Sequence, residues 1–398
     1  AMGVDDDFCG IAPRTFSLFR ARMVIHDGDE TILRRTVAKA VEAGVLRGKL
    51  TALIDSTPVH GAGAVADTFE LVRKMAAKLA RAAGDDLDPE LATAARALDA
   101  KPDIDWDDVE GRRAHLDELV SLAVALLAAV GTSEDPAVAE AADLLATVVD
   151  QDIELDEDHK ARIRQGVAPD RVISHSDPEM RHGRKSASKR FDGHKAHVVS
   201  DEASELILGV EVGAGNGSDG EAAAPLVEHL RAAGLDIDTV VGDMAYSDGD
   251  VRVAVEAAGA TMVAKVPPVT NAGRFAKTDF TIDLEAHVVT CPAGEVSSDA
   301  RRATDHKGRA TTRFVFAADV CTVCPLHPLC VKGSGSRSIL ISVHEARIAK
   351  ARADQRRPET RALLRARSKV ERKIAHLQRA GIRKARFRGR RKTRLQLL

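Results

Sequence analysis

The middle of the chain alternates between helical and strand-like spacing of its apolar residues. Residues 221–233 place apolar side chains on one helical face, and residues 248–258 repeat that spacing. The short apolar runs 239–241 and 261–266 are rich in valine, which is typical of buried strands. A helix, a strand, a helix and a strand in this order indicate a parallel sheet covered by helices.

The first of these strands leads directly into Gly242 and Asp243. In open sheets of this kind, a carboxylate that follows the carboxyl end of a strand points into the crevice where ligands bind. Asp243 is therefore a candidate site residue. A turn cap is the alternative interpretation, because aspartate commonly stabilises such turns.

A second apolar strand, near the start of the chain, also runs into an aspartate. Helices are predicted over 13–23 and 31–45, and the run Leu50–Ile54 then predicts a strand that ends at Asp55. Asp55 is the second candidate site residue, with a helix cap or an Asx turn as the alternative.

A long helical region follows, with no cluster of candidate ligands. Helices are predicted over 67–83, 105–130 and 135–149, separated by acidic loops. We interpret this region as a helical insertion and not as a catalytic domain.

Strand patterns return after the insertion. The apolar runs 195–200 and 205–212 predict an antiparallel hairpin. The segment before them, 177–186, is polar and basic and predicts a loop. It either faces DNA or is an ordinary solvated surface.

A small β module with cysteines is predicted after the parallel strands. Phe280, Ile282 and Leu284 alternate with polar residues, as in a strand. Four cysteines in this region suit a closed structural zinc site, and two of them are spaced as a familiar half-site. They are Cys291, Cys321, Cys324 and Cys330. Unbound or disulfide-linked cysteines are the alternative, and His327 is a possible replacement ligand. Cys9 is left over and is predicted to be buried.

The net charge of −2 conceals an asymmetry. Residues 347–394 contain 20 Lys and Arg against 3 acidic residues, a net of +17, so the remainder carries −2 − 17 = −19. A basic tail on an acidic body predicts a polyanionic partner. The sequence shows no signal peptide or membrane span, and clustered cysteines are typical of a reducing compartment, so the cytoplasm is the expected location.

The last predicted element is a basic helix from Pro358 to Gln378. One face of this helix carries a lone acid among cations and apolar residues. Its members are Leu364, Arg367, Glu371, Ile374 and Gln378. Glu371 either joins a site or forms an ordinary surface ion pair with Arg367, one turn earlier.

The order of the strands and helices predicts that three acids lie close together. A strand, two hairpin strands, a helix, a strand, a helix, a strand and a helix form the α/β order of a ribonuclease-H-like mixed sheet. In that order Asp55, Asp243 and Glu371 come together. Clustered carboxylates repel one another unless cations lie between them, and their oxygens are the ligands that Mg²⁺ or Mn²⁺ prefers.

The chain resembles the DDE transposases of bacterial insertion sequences. The resemblance covers nearly the whole chain, from PRTFSLFRARM through FDGHKAHVVSDEASELI, VEVGAGNGSDGE, GDMAY and CTVCPLHPLC to the signature helix and ARFRG. The family carries tyrosine, arginine, glutamate and lysine on that helix. Arg367 and Glu371 match, whereas Leu364 and Gln378 stand at the tyrosine and lysine positions. The resemblance also implies further helical residues before Pro13 and a short apolar tail after Leu398.

The resemblance implies a function. Asp55, Asp243 and Glu371 would hold two Mg²⁺ or Mn²⁺ ions, water would cut DNA at a transposon end, and the freed 3′-OH would attack target DNA. The partner would be double-stranded DNA, bound by a homodimer in a synaptic complex at the nucleoid, with no membrane. The expected DNA-binding residues are basic and lie on or after the signature helix: Arg367, Arg372, Lys373, Arg383, Lys384, Arg386 and Arg388.

Two other functions stay open. One is a transposase-derived DNA-binding protein without catalysis, which the residues at 364 and 378 favour. The other is a ribonuclease-H-fold nuclease without strand transfer. The expected divisions of the chain are an N-terminal helical region 1–49, a first catalytic strand 50–57, a helical insertion 58–170, a core 171–274, a cysteine-rich β insertion 275–340 and a basic C-terminal region 341–398.

Overall fold

A six-stranded mixed sheet lies at the centre of the protein, whose computed structural model describes residues 12–26, 28–186 and 188–398, without the side chain of residue 29. Cys9, predicted to be buried, lies outside the described residues. The strands are β1 (Leu50–His60), β2 (Ile153–Leu155), β3 (Ala161–Ile163), β4 (Arg181–Arg184), β5 (Arg190–Asp201), β6 (Ile207–Ala214), β7 (Ile237–Gly242), β8 (Thr261–Ala264), β9 (Thr281–Asp283), β10 (Val288–Thr290), β11 (Val296–Ser297), β12 (Ala300–Thr304), β13 (Ala310–Val315) and β14 (Ser338–Ser342).

Helices cover the sheet and form the insertion. They are α1 (Pro13–Ile25), α2 (Gly28–Glu42), α3 (Thr68–Ala83), α4 (Pro89–Ala97), α5 (Val109–Val130), α6 (Pro136–Asp152), α7 (Ala223–Ala232), α8 (Gly249–Ala257), α9 (Ala318–Val323), α10 (His327–Cys330), α11 (Glu345–Asp354), α12 (Pro358–Ala366), α13 (Ser368–Leu377) and α14 (Arg390–Leu397). None of these helices, within the part of the chain that the structure describes, is long and apolar enough to cross a membrane.

The central sheet has the predicted mixed topology. β1, β7 and β8 are parallel neighbours, whereas β5 runs antiparallel to β1 and β6, as the predicted hairpin requires. The chain order of strand, hairpin, helix, strand, helix, strand and helix confirms the ribonuclease-H-like α/β fold.

The first strand is longer than predicted. It does not end at Asp55 but continues to His60, paired with β5 throughout. Its pairing with β7 stops at Leu53, so one edge of the later residues is open. His60 directs its N–H and C=O toward that open edge, where they bond to residues 383 and 385. The backbone groups of residues two apart along a strand point to the same edge. The N–H that Pro58 lacks would therefore point to this open edge, where β7 no longer pairs with β1.

Helices pack on both faces of the sheet. Alternate residues of each strand point to opposite faces. On one face, Ile54 and Val240 pack in a core with residues of α2, α7 and α8. On the other face, Leu53 and Val241 pack against α13. The sheet is therefore the middle layer of three.

The helical insertion has its own core. α3, α4, α5 and α6 pack around leucine, alanine and valine side chains. Asp67 and Asp135, the first residues of two predicted helices, accept bonds from the first turns of α3 and α6. α5 begins at Val109, capped by Asp108, and not at residue 105 as predicted. α4 and the hairpin β2–β3 were not predicted as separate elements.

The segment before the hairpin was predicted as a loop, and this is wrong for four of its residues. Arg181–Arg184 form β4, which pairs antiparallel with the start of β5. No alternation of apolar residues marks this strand in the sequence. It forms because β5 offers a free edge beyond its pairing with β6.

The basic helix near the end is not continuous. It breaks at Arg367 into α12 and α13, and one π-helical turn follows over Gln378–Ile382. Gly381 has φ +105° in that turn, a conformation that favours glycine. The chain then turns back to lie beside the end of β1 at His60.

The cysteine-rich module consists of two three-stranded sheets, β9–β11 and β12–β14. Phe280, Phe314 and Phe316 form its core, as the alternation predicts, whereas Leu284 is exposed. Arg309 joins the module to the α8 cap by ion pairs with Asp248 and Asp250.

Leu53 tests the layered arrangement. Its side chain is fully buried between the sheet and α13. Leu53→Ala should lower the free energy of unfolding by about 2–5 kcal/mol, because it leaves a cavity beneath that helix. Urea denaturation monitored by circular dichroism measures the change. The exposed Val124→Ala is the control and should stay within about 0.5 kcal/mol. Equal effects of the two substitutions would contradict the packing.

Candidate active site

The parallel pairing of β1 and β7 brings the two aspartates together. Leu53 is the register partner of Val241, and both side chains face α13. Asp55 and Asp243 lie two residues farther along, so they continue on the same face. The 3₁₀ turn after β7 holds Asp243, whose Oδ1 accepts a 2.8 Å bond from the amide of Ala245. Asp243 therefore caps this turn, as the alternative interpretation predicts.

α13 brings the third acid to the same place. Val370 and Ile374 lie on its buried face and pack on Leu53, Val198 and Val241. Glu371 follows Val370, and its side chain is 53% exposed above the sheet. Helix packing therefore places Glu371 over the edge where both aspartates emerge.

Arg367 lies among the acids. Its Nη2 is 3.1 Å from Oε1 of Glu371 and 4.0 Å from Oδ2 of Asp55. Arg367 is 20% exposed, and its buried Nε has no hydrogen-bond partner among the described residues. The i,i+4 pair with Glu371 that the alternative interpretation requires is present, but it lies inside the cleft.

Asp55 is held partly in its neutral form. Burial raises the pKa of Asp55 to about 6, and the negative charges of Asp243 and Glu371 act in the same direction. The backbone bond from Ser56 and the charge of Arg367 oppose this rise. Ionised Asp55 is therefore unfavourable in this cleft chiefly because it is buried, and a nearby cation would favour the ionised form.

Asp219 and Lys195 complete the cleft and were not predicted. Lys195 Nζ lies 2.7 Å from Asp219 Oδ1 and donates to the carbonyl of Gly217. The lysine follows a buried histidine on β5, and the aspartate lies in a loop motif. Neither pattern distinguished them from solvated residues in the sequence. The sheet pairing alone brings them beside the acids.

Two buried aromatic residues support the turn that carries Asp243. Tyr246 is fully buried, and its hydroxyl lies 3.3 Å from Nδ1 of His197 on β5. Burial lowers the pKa of His197, which keeps the ring neutral at pH 7. Burial also raises the pKa of Tyr246. This pair is therefore an uncharged support beneath a charged site.

The two departures from the family signature have structural partners. Nε2 of Gln378 donates a 2.8 Å bond to Oγ1 of Thr57 on β1. Leu364 packs into the apolar cluster around Leu53 and Val370. Both residues therefore fasten the signature helix to the sheet.

All these groups face one cleft of about 430 Å³. Its walls combine four carboxylates with four cations, which suits a charged ligand and not an apolar one. The lining residues are Asp55, Ser56, Thr57, Pro58, Arg184, Lys185, Phe191, Lys195, Asp219, Asp243, Arg367, Glu371, Ile374, Ala375 and Gln378.

Ion pairs divide the expected DNA-binding residues into two groups. Arg372 and Lys373 lie 2.9 Å and 3.5 Å from the carboxylate of Glu205, on the hairpin that joins β5 to β6. Four expected DNA-binding cations soon after the π turn are exposed, and they form no ion pair with any residue in the described ranges. They are Arg383, Lys384, Arg386 and Arg388.

The four cysteines lie together in a second cleft of about 280 Å³. They form no disulfide with one another. The charges of the other three all act on Cys330, whose thiol pKa is raised chiefly by burial. His327 also lines this cleft, but its Nε2 is 2.9 Å from the carbonyl oxygen of Gly335.

The donor atoms fit metal ions by their chemistry. Carboxylate oxygens in the first cleft suit Mg²⁺ or Mn²⁺, and thiolates in the second suit zinc. Within residues 12–26, 28–186 and 188–398, however, no three His, Cys, Asp or Glu side chains are positioned to hold one ion. In the first cleft, the Arg367 guanidinium supplies the positive charge beside Asp55 and Glu371.

Comparison with protein families identifies the class of this fold and site. The model of the transposase DDE domain matches residues 168–398, more than half of the chain. The chain belongs to the DDE transposase family. The matched region contains Asp243 and Glu371, whereas Asp55 precedes it. No curated protein and no solved structure matches the chain.

The raised pKa of Asp55 predicts a stability that depends on pH. Its folded-state value of about 6 lies above the ordinary 3.8, so the favourable contribution of Asp55 is lost as the pH rises through about 6. Asp55→Asn stays neutral. Without divalent ions, this variant should match the original protein near pH 4 and exceed its free energy of unfolding by about 2 kcal/mol at pH 8.

Asp238→Asn is the matched control for the pH series. The hydrogen bond from Lys49 lowers the pKa of Asp238, so ionised Asp238 is favourable in the folded state. This variant should be no more stable than the original protein at pH 8. Urea denaturation at several pH values measures both differences. A pH-independent difference for Asp55→Asn would contradict the electrostatic interpretation.

Proposed function

We propose that this chain is a transposase of the kind carried by bacterial insertion sequences, which cuts DNA at transposon ends and joins them to target DNA. The observation that carries the proposal is the meeting of Asp55, Asp243 and Glu371, from three distant segments, in one cleft. Such a set of carboxylates is costly without bound cations, as the raised pKa of Asp55 indicates.

Each side chain has a role in this proposal. Asp55, Asp243 and Glu371 would hold Mg²⁺ or Mn²⁺, in keeping with the general use of divalent metals by DDE transposases. Bound divalent ions activate water and stabilise the leaving oxygen in phosphodiester displacement. Arg367 offers a planar fork of donors that would turn from the acids to a phosphate oxygen.

The proposed reaction has two steps at one site. Water attacks the phosphodiester at the transposon end and frees a 3′-OH. That 3′-OH then attacks a phosphodiester of the target in line, so no covalent bond to the protein is needed. A homodimer, with one subunit for each DNA end, would hold the two ends together.

The exposed cations after the π turn are the best candidates for holding double-stranded DNA. Arg383, Lys384, Arg386 and Arg388 have no acidic partners among the described residues. Their segment is fixed beside the end of β1 by bonds between His60 and residues 383 and 385. Arg372 and Lys373 would need to leave Glu205 before contributing to the same surface.

Glu371→Gln tests the catalytic proposal. Metal-dependent cleavage of transposon-end DNA should fall by about two orders of magnitude or more, because one carboxylate of the set is lost. DNA binding should be equal or tighter, because a negative charge facing phosphate is gone. Nicking of end-labelled DNA and fluorescence anisotropy measure the two effects. The control is Glu359→Gln, an exposed acid on α12.

The same assay separates the remaining functions. Loss of cleavage in Glu371→Gln alone supports the assignment, and equal loss in Glu359→Gln would contradict it. No cleavage by the original protein under Mg²⁺ or Mn²⁺ would indicate a DNA-binding descendant. Cleavage without joining of a 3′-OH end to a plasmid would indicate a nuclease.

For the second cleft, we infer a structural zinc site formed by Cys291, Cys321, Cys324 and Cys330. Two backbone turns present these thiols. Cys291 accepts a bond from the amide of Gly294, and Cys321 accepts one from the amide of Cys324. Apolar residues surround the cleft, and the acids of the first cleft are not among its lining residues. The site would therefore stabilise the β module and take no part in cleavage.

Metal analysis tests the zinc proposal. The purified protein should contain about one zinc per chain, and Cys324→Ser should lose it together with thermal stability, because metal binding and local folding are coupled. Cys9→Ser is the control, since it removes the fifth cysteine and should retain the metal. A metal-free protein with an unchanged melting temperature would contradict this assignment.

A further inference from the structure

The hairpin between β4 and β5 carries a concentrated positive charge. Its tip contains Arg184, Lys185, Lys189 and Arg190, which we call the basic hairpin. All four residues are exposed, and none forms an ion pair with another residue in the part of the chain that the structure describes. Residues 185 and 189 are joined by a backbone hydrogen bond of 2.8 Å.

Three other cations near the cleft are paired with acids. Lys195 is paired with Asp219 at 2.7 Å, and Arg372 with Glu205 at 2.9 Å. Lys369 contacts Glu202 in the same way. The protein is acidic as a whole outside its tail, so acids to pair with the hairpin are plentiful. The lack of acidic partners at the basic hairpin is therefore a feature of this part of the structure.

The register of the hairpin places like charges opposite each other. Arg184 faces Arg190 across the antiparallel pair. Like charges directly opposite are destabilising in a sheet. Two positions away, His182 and Asp192 form the compatible pair at 2.6 Å. A bound anion between the arginines would reduce the repulsion, and no acid among the described residues forms an ion pair with either of them.

The base of the hairpin is closely packed. Gly183 lies against the ring of Phe191, its partner across the pair, and a Cβ atom at this position would lie 2.2 Å from that ring. Phe191 is buried and also lines the active-site cleft. The hairpin base is therefore packed into the site that holds the acids.

The basic hairpin lies beside the proposed catalytic acids. Arg184 and Lys185 line the same cleft as Asp55 and Glu371. Across the sheet, His60 pairs with β5 on one side and bridges to Lys384 on the other. The hairpin and the exposed cations of residues 383–388 thus flank the end of β1.

We propose that the basic hairpin binds the phosphate backbone of DNA next to the bond that is cut. This inference rests on the proposed function. The carboxylates of the cleft repel phosphates, and cations along its edge offset that repulsion. Arg184 and Lys185 supply such charge at the cleft, and the pair Arg184 and Arg190 suits a phosphate oxygen.

The test compares two double variants by DNA binding. Arg184→Gln with Lys185→Gln removes the charges that line the cleft, and Arg96→Gln with Lys101→Gln removes two exposed charges of the helical insertion. All proteins also carry Glu371→Gln, and no divalent ion is added, so binding is read without cleavage. The probe is a fluorescent duplex oligonucleotide, measured by anisotropy over a salt series.

The hairpin variant should bind about tenfold or more weakly at 0.1 M salt. The slope of log K against log salt should become shallower by about 2, because each lost contact with duplex phosphate removes about 0.9. The control variant should keep the affinity and slope of the parent. Arg184→Lys with Lys185→Arg keeps the charges and should restore the slope.

The variant Arg190→Gln distinguishes DNA binding from a structural role of the hairpin. It removes the like-charge pair, so under the proposal its melting temperature should be equal to or higher than that of the parent. The slope of log K against log salt should be shallower. A lower melting temperature with an unchanged slope would overturn the inference. So would an unchanged slope in the Arg184 and Lys185 variant.

Failure of the inference can be distinguished from failure of the proposed function. If the protein with Glu371 intact does not cleave DNA under Mg²⁺ or Mn²⁺, the catalytic proposal fails. If it cleaves, and removal of the hairpin charges changes neither the salt slope nor the cleavage rate, only the hairpin proposal fails.

Discussion

The site depends on one apolar contact, the packing of α13 on β1 and β7. Val370 and Ile374 lie against Leu53, Val198 and Val241, and this contact holds a charged helix over a sheet edge that already carries two aspartates. Electrostatics alone would drive Glu371 away from Asp55 and Asp243. Burial of apolar surface offsets that repulsion, because each fully buried aliphatic side chain contributes about 1.5–3 kcal/mol. Arg367, on the same helix, then lies between the acids.

Ion pairs within the protein neutralise part of the positive charge of the C-terminal region. The basic C-terminal region does not present all its cations to a partner. Lys369, Arg372 and Lys373 are paired with Glu202 and Glu205, at the turn between β5 and β6. These pairs fasten the signature helix to the sheet. The basic hairpin and the exposed cations of residues 383–388 form no ion pairs with the described residues, and both groups flank the end of β1.

Local patterns predicted the elements with strong periodicity and missed those that need a distant partner. The helices of the insertion and the strand before Asp243 follow from apolar spacing and caps, and they are confirmed. β4 has no apolar alternation and exists only because β5 pairs with it. β1 was predicted to end at Asp55, where its apolar run stops, but it continues through Pro58, a residue that is uncommon inside strands. β7 pairs with β1 only as far as Leu53, so Pro58 removes no hydrogen bond to β7. Residues from the end of the chain occupy part of the open edge.

The same distinction applies to the site. Asp55 and Asp243 were identifiable because each follows an apolar strand run, and Glu371 because it is a lone acid on a basic helix. No sequence pattern identifies Lys195 and Asp219, because only the folded structure brings them to the cleft. The zinc ligands and the roles of the acids stay predictions.

The two departures from the family signature bear on whether the site can work. A residue that contacted only DNA could be lost without effect on the fold, and its replacement would then be free to point anywhere. Here both replacements have partners within the protein. Gln378 bonds to Thr57, two residues beyond Asp55, and Leu364 packs beside Leu53. Each contact holds the signature helix against β1, the strand that carries the first aspartate. Both residues therefore help to fix the position of Glu371 relative to Asp55.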